Sequence, residues 1–165
     1  MPTAAEGTPA KSTRVRFVPD QVVLPGHGSA PVEPVQTEDG ELKVPREVAH
    51  VGWWDGSAYA GDLFGHTVIA GHVDSASEGL GFFAELLEAR RGDTVILRGD
   101  GHTQTYRVTG VKTIDKGALA QDSSAFDQRG DHRLVLITCG GAYDPSRGGY
   151  DSNVVVTATP VGLAR

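Results

Sequence analysis

Short apolar runs separated by turn residues extend from Arg14 almost to the end of the chain. The segment TRVRFV alternates polar and apolar positions, which is typical of a half-buried strand. Further strands are predicted over HVGWW, HTVIAGHV and NVVVTATPV. The run HRLVLIT (132–138) is apolar almost throughout, which indicates a strand covered on both faces.

Two Asp-Gly pairs mark tight turns between such runs. Asp39-Gly40 lies within APVEPVQTEDGELKVP (30–45), and Asp100-Gly101 divides TVILRGDGHTQTYRVTGVKTI. Asp-Gly tolerates the left-handed backbone that two-residue hairpins need. We therefore expect a β-hairpin at each site.

Helical spacing of apolar residues is clear in one segment, LGFFAELLEARRGD (80–93), and DKGALAQDSSAF (115–126) can hold a second, short helix. With about eight strands and one or two short helices, the predicted fold is all-β. A closed or nearly closed eight-stranded barrel accommodates this pattern best.

The size and charge of the chain limit its class. Its 165 residues suit one domain, which we expect over residues 14–160. Residues 1–13 are small and polar, typical of a disordered leader or linker, and residues 161–165 are expected to be loose. The net charge of −6 argues against a nucleic-acid partner. No apolar window is long enough to span a membrane, so any anchor would lie outside this sequence.

Cys139 is the single cysteine and follows the apolar run LVLIT, with Gly140 and Gly141 after it. A thiol at a strand end can face a groove, and a glycine beside it lets a substrate carbonyl approach. The alternative is a buried structural cysteine, a frequent environment for this residue. Both interpretations stay open on these residues alone.

His72 occupies a similar position in VIAGHVDS, at the end of an apolar strand. Two strand ends of one barrel can meet although 67 positions separate His72 from Cys139. A histidine there can act as acid and base for a cysteine, or it can simply cap a turn. No zinc spacing, calcium loop or nucleotide-binding fingerprint is present, so we expect neither metal nor cofactor.

The segments AGHVDS and LVLITCGGAYDPSRGGYDSNVVV resemble the sortases, and the CGG…YD and NVVV parts resemble their class F, found in actinobacteria. The resemblance covers roughly Arg14 to Pro160. It implies an eight-stranded sortase barrel with Cys139 as nucleophile and His72 as acid and base. It also implies cleavage of an LPXTG-type C-terminal sorting signal on secreted proteins, with transfer of the acyl group to a peptidoglycan-precursor amine. The implied site is the outer face of the membrane, and we expect a monomer.

The third sortase residue is an arginine near the final strand, and here the sequence departs from the family. Asp151 and Ser152 stand where the arginine is expected. Arg147, eight residues after Cys139, is the nearest candidate, although it can equally be a surface arginine. Arg133 begins the strand of Cys139 and is too far along it. Among supporting residues, Asp74 can orient His72 or close a turn, and Trp53 and Trp54 can line a groove or belong to the core.

Two rival functions remain. An L,D-transpeptidase also uses a cysteine, but in a Ser-His-Gly-Cys setting that LITC does not match. A non-catalytic peptide-binding β-barrel with a structural cysteine is the alternative of a different class. The reactivity of the Cys139 thiol separates this alternative from an enzyme.

Overall fold

The computed structural model describes residues 14–119, 121 and 124–165, without the side chains of Ala142 and Arg147. The predicted leader, residues 1–13, lies outside the described residues. The strands in chain order are β1 (Gln21–Leu24), β2 (Gly28–Val35), β3 (Thr37–Glu38), β4 (Glu41–Leu42), β5 (Val51–Trp54), β6 (His66–Ala70), β7 (Asp74–Ser75), β8 (Gly79–Leu80), β9 (Thr94–Gly99), β10 (His102–Asp115), β11 (Arg133–Asp144) and β12 (Gly149–Val161). A 3₁₀ helix spans Phe82–Glu88, α1 spans Lys116–Leu119, and a second 3₁₀ helix spans Pro145–Arg147.

Eight of these strands close into a barrel in the order β1-β2-β5-β6-β11-β12-β10-β9, with β9 pairing back to β1. Most neighbours are antiparallel, whereas β2 with β5 and β6 with β11 are parallel. The short pairs β3-β4 and β7-β8 form separate hairpins. The all-β barrel predicted from the sequence is therefore confirmed.

Apolar side chains form one cluster inside the barrel and a second on its outer face. Alternate residues of β6 and β11, among them Ile69, Leu134 and Leu136, belong to the inner core. Successive residues of a strand point to opposite faces, so the residues between them face outward. The second group, called here the outer cluster, consists of Val68, Ala70, Ala125, Val135, Ile137 and Val155. β11 is thus covered on both faces, as its continuous apolar run predicts.

Both predicted Asp-Gly hairpins are present. Asp39 and Gly40 join β3 to β4, and Asp100 and Gly101 join β9 to β10. All four residues have positive φ, between 50° and 79°. This conformation costs an aspartate little and a glycine nothing, which explains why this dipeptide marks the turns.

Three predicted segments differ in the structure. TRVRFV forms no strand beyond one bridge between Phe17 and Ala60, although Phe17 is buried. The helix expected over 80–93 is a shorter 3₁₀ helix, and its buried residues, Phe83 and Leu86, are three apart, which matches the 3₁₀ period. The C-terminal end is not loose, because Arg165 exchanges two backbone hydrogen bonds with Thr103 (2.9 and 3.0 Å).

β11 also continues past the cysteine, where the sequence favoured a turn. Its pairing with β12 runs on to Asp144 opposite Gly149, with a register shift between Gly140 and Tyr143. Gly141 has φ of 80°, so glycine permits an irregularity within the strand here and does not end it. β11 and β12 therefore extend as a hairpin beyond the level of Cys139.

Candidate active site

Cys139 lies on the outer face of the barrel. Val135 and Ile137, two and four residues before it, belong to the outer cluster, and alternation along β11 places the thiol on their side. The side chain is a free thiol and only partly buried. It is thus not sealed inside the barrel, as a structural core cysteine would be.

His72 follows the strand that pairs with the strand of Cys139. β6 pairs with β11 in parallel, Ala70 opposite Ile137, and the Gly71 N–H donates to the Ile137 carbonyl at 3.1 Å. If this register continued for two more residues, the His72 backbone would lie opposite Cys139, but β6 ends at Ala70 and no hydrogen bond joins His72 to Cys139 among the described residues. A Cβ added to Gly71 would meet Val51 and Phe83 of the inner core, and strand-like alternation continued past β6 would turn His72 toward the outer face.

Burial and two charged groups shift the pKa of the Cys139 thiol. Burial raises this pKa above its usual value, because desolvation disfavours the thiolate. The positive charge of Lys116 in α1 lowers it, and the negative charge of Asp74 raises it further. A raised pKa means that the resting sulfur is mainly the neutral thiol at neutral pH.

Asp74 binds a tyrosine of the final strand. The Tyr150 hydroxyl donates to Asp74 Oδ2 at 2.6 Å, and this hydrogen bond, followed by burial, raises the pKa of Tyr150. The Tyr150 ring packs edge-on against Tyr143 of β11, with centroids 5.3 Å apart. The bond connects β7, which follows His72, to the start of β12. No described residue makes a hydrogen bond to the imidazole of His72. Asp74 therefore does not orient His72 by a hydrogen bond here, and its observed partner is Tyr150.

The two arginines considered from the sequence lie far apart. The backbone of Arg147 belongs to the second 3₁₀ helix, at the tip of the β11–β12 hairpin, and its side chain lies outside the described part of the structure. Arg133 lies at the opposite end of β11, where its Nη1 donates to the His132 carbonyl at 2.8 Å. Arg133 is thus remote from the cysteine, as expected from its position at the strand start.

Asn153 is a neighbour of the cysteine that the sequence did not single out. It is the β12 residue directly opposite Cys139, and only 9% of it is exposed. Directly opposed residues of an antiparallel pair project to the same face, so its carboxamide shares the outer face with the thiol. In the sequence, Asn153 is recognisable only as the polar residue at the start of NVVV. Its position opposite Cys139 depends on the register of β11 and β12, which the sequence does not give.

The two tryptophans divide between core and surface cluster. Trp53 is buried in the inner core, as expected for at least one of them. Trp54 packs against the outer cluster, with its ring edge-on to Phe126 at 5.8 Å. It therefore borders the same outer face as Cys139.

Two further properties concern ligands and membranes. Within residues 14–119, 121 and 124–165, no group of three or more His, Cys, Asp or Glu side chains is arranged to hold a metal ion. In the same part of the chain, no helix has the length and apolar character needed to cross a bilayer.

A closed β-barrel with a partly exposed cysteine on its outer face is the arrangement expected of a β-barrel thiol enzyme. Comparison with known proteins identifies the family. The model of the sortase domain matches residues 21–161, most of the chain. The chain therefore belongs to the sortase family, whose members are cysteine transpeptidases. A search among curated protein sequences gave no match.

Solved sortase structures share this fold. Sortase A from Listeria monocytogenes superposes with a TM-score of 0.65 at 21% identity, over 90% of this chain and 89% of that one. Sortase C-1 from Actinomyces oris gives 0.65 at 21% identity, over 87% and 73%. A lid mutant of sortase A from Corynebacterium diphtheriae gives 0.65 at 24% identity, over 90% and 73%.

Proposed function

We propose that this sortase cleaves an LPXTG-type C-terminal sorting signal through a thioester on Cys139 and passes the acyl group to an amine of a peptidoglycan precursor. The observation that supports the proposal is the parallel pairing of β6 and β11, because β6 ends just before His72 and β11 carries the partly exposed cysteine. The segments CGG…YD and NVVV support class F, the actinobacterial type. Its substrates would be secreted proteins, met on the outer face of the membrane.

Because the pKa of the Cys139 thiol is raised, the thiol keeps its proton at rest. In the proposed reaction this proton is therefore transferred as the sulfur attacks. His72 accepts the thiol proton as the sulfur attacks the threonine carbonyl carbon, and an oxyanion forms. As the oxyanion collapses, the C–N bond breaks and His72 returns the proton to the leaving amine. His72 then deprotonates the incoming amine, or water, which attacks the thioester and restores the thiol.

Arg147 is the remaining residue of the proposed catalytic set. In this proposal its guanidinium contacts the substrate near Cys139. Arg133 provides the matched control, because it is the same residue type at the opposite end of β11.

The function is tested with a small library of LPXTG-like peptides and an amine acceptor. We expect cleavage by the wild-type protein, none above background by Cys139→Ala, and a loss of about 10²–10⁴-fold for His72→Ala. Arg147→Ala should reduce turnover, whereas Arg133→Ala should not. A peptidyl vinyl sulfone should label Cys139 covalently.

The same assay decides against the alternative. If the folded wild-type protein cleaves no peptide and the peptidyl vinyl sulfone does not label Cys139, the non-catalytic peptide-binding barrel is correct. Binding of the peptides without cleavage, measured by calorimetry, would then be its positive sign.

A further inference from the structure

Cys139 is directly opposite Asn153 of the strand on one side, and the strand on its other side leads to His72. His72 follows β6, Cys139 belongs to β11 and Asn153 to β12. The Cβ atoms of directly opposed residues in an antiparallel pair are about 4.5–5.5 Å apart. The carboxamide of Asn153 is therefore within contact range of a group bound to the sulfur, on the flank opposite His72.

The carboxamide of Asn153 is available to a ligand. The residue is about nine-tenths buried, yet its side chain makes no hydrogen bond to any residue that the structure describes. Among the described residues, the fully buried polar side-chain atom without a partner is Thr138 Oγ1, so the polar atoms of Asn153 keep contact with solvent, where a bound substrate can reach them. Val155, the next residue on the same face, packs in the outer cluster, so an apolar residue at 153 would extend that cluster.

The chemistry at Cys139 needs a hydrogen-bond donor at this place. Attack of the sulfur converts the substrate carbonyl oxygen into an oxyanion, which is stabilised by donors fixed in advance. The side chain of an asparagine offers two N–H donors and stays neutral at every pH. Here it is held by a rigid strand. Asp151, where the family has its arginine, carries a carboxylate and cannot donate.

Arg147 is placed less directly for this task. Asp144, where its hairpin tip begins, lies five residues beyond Cys139 along β11, about 16 Å for an extended strand. Asn153 is directly opposite the cysteine and needs no such return of the chain.

We propose that Asn153 is a catalytic residue whose Nδ2 donates to the oxyanion formed at Cys139, an inference that rests on the proposed function. Near the start of β12, it supplies a donor in addition to the substrate contact proposed for Arg147. His72 then handles protons on one side of the sulfur, and Asn153 holds the developing negative charge on the other.

The test compares peptide turnover with direct alkylation of the thiol. Asn153→Ala and Asn153→Leu both remove the donors, and Leu also preserves the volume. We expect kcat to fall about 10²–10³-fold in both variants, with KM within about twofold. Alkylation of Cys139 by iodoacetamide forms no oxyanion, so its rate should stay at the wild-type value in the same samples.

Thr157→Val is the matched control, a polar-to-apolar change on the same face of β12, opposite Val135. It should keep wild-type turnover. Thermal unfolding verifies that each variant is folded. If only one of the two Asn153 variants folds, that variant is sufficient for the test. Turnover within threefold of wild type would refute the role of Asn153, and so would an equal loss of alkylation. If the wild-type protein itself cleaves no peptide, the proposed function fails, and the role of Asn153 with it.

Discussion

At the scale of single residues, the reactivity of Cys139 depends on two opposite charges. Lys116 and Asp74 come from different elements, α1 and β7. The first lowers the pKa of the thiol and the second raises it, on top of the larger effect of burial. The thiolate population at neutral pH is therefore adjustable by either charge alone.

Neutralising these two charges should shift the titration of Cys139 in opposite directions. Lys116→Gln removes a cation that stabilises the thiolate, so the pKa should rise. Asp74→Asn removes a carboxylate that opposes it, so the pKa should fall. The pH dependence of iodoacetamide labelling measures both shifts. Shifts of the same sign in the two variants would contradict this electrostatic account.

The sequence identified the residues whose position follows from their own strand. Cys139 and His72 were found because each follows an apolar run. Asn153, Tyr150 and Lys116 were missed, because their proximity to the thiol depends on pairing between distant strands. Tyr150 and Asp74, for example, are 76 positions apart, and no local pattern encodes their hydrogen bond.

At the scale of elements, the position of His72 depends on how the chain leaves the end of β6 at Ala70. Gly71 is buried between the strand and the histidine, and a Cβ there would lie 2.7 Å from Val51 Cγ1 and 2.9 Å from Phe83 Cδ2. Phe83 belongs to the 3₁₀ helix. Close packing of that helix against glycine thus holds the end of β6 beside β11.

Gly71→Ala should destabilise the protein by about 1–3 kcal/mol, because the added methyl group overpacks the inner core. Chemical denaturation measures the change in the free energy of unfolding, and peptide turnover should fall as the path to His72 moves. Gly110→Ala in β10 is the control, since a Cβ there meets nothing within 4 Å. A control variant as unstable as Gly71→Ala would rule out the steric explanation.

Prediction of the elements succeeded where local chemistry decides and failed where packing does. The Asp-Gly hairpins follow from backbone preference at two residues. The β1–β2 hairpin at the start of the barrel was not predicted, because QVVL is only four residues long. The segment TRVRFV alternates like a strand in sequence but pairs only at the single bridge between Phe17 and Ala60, and the length of β11 beyond Cys139 depends on β12.

At the scale of the whole molecule, a buried polar pair lies at the end of the barrel opposite to Cys139. The Tyr106 hydroxyl donates to His132 Nε2 at 2.9 Å, and His132 Nδ1 donates to the Gly65 carbonyl at 2.9 Å. A carbonyl can only accept, which fixes the neutral tautomer of the histidine. Burial is the largest cause that lowers the pKa of His132 and raises that of Tyr106.

The free energy of unfolding should therefore decrease on acidification below pH about 6.5. Because the folded pKa of His132 is lowered, the unfolded chain binds the proton first, and stability is lost as the pH falls through this window. One such group contributes at most about 1.4 kcal/mol per pH unit. Urea unfolding between pH 7.5 and 5 measures the slope, which His132→Gln should reduce. An unchanged slope in that variant would exclude His132 as the cause.

The parallel pairing of β6 with β11 means that both strands emerge at the same mouth of the barrel. Four strands, β7 to β10, intervene in the chain between them. While that pairing is still missing, the two residues of the proposed catalytic pair, His72 and Cys139, are not brought to the same end of the barrel. A half-folded polypeptide would therefore lack the proposed activity, which would appear only when the barrel is complete.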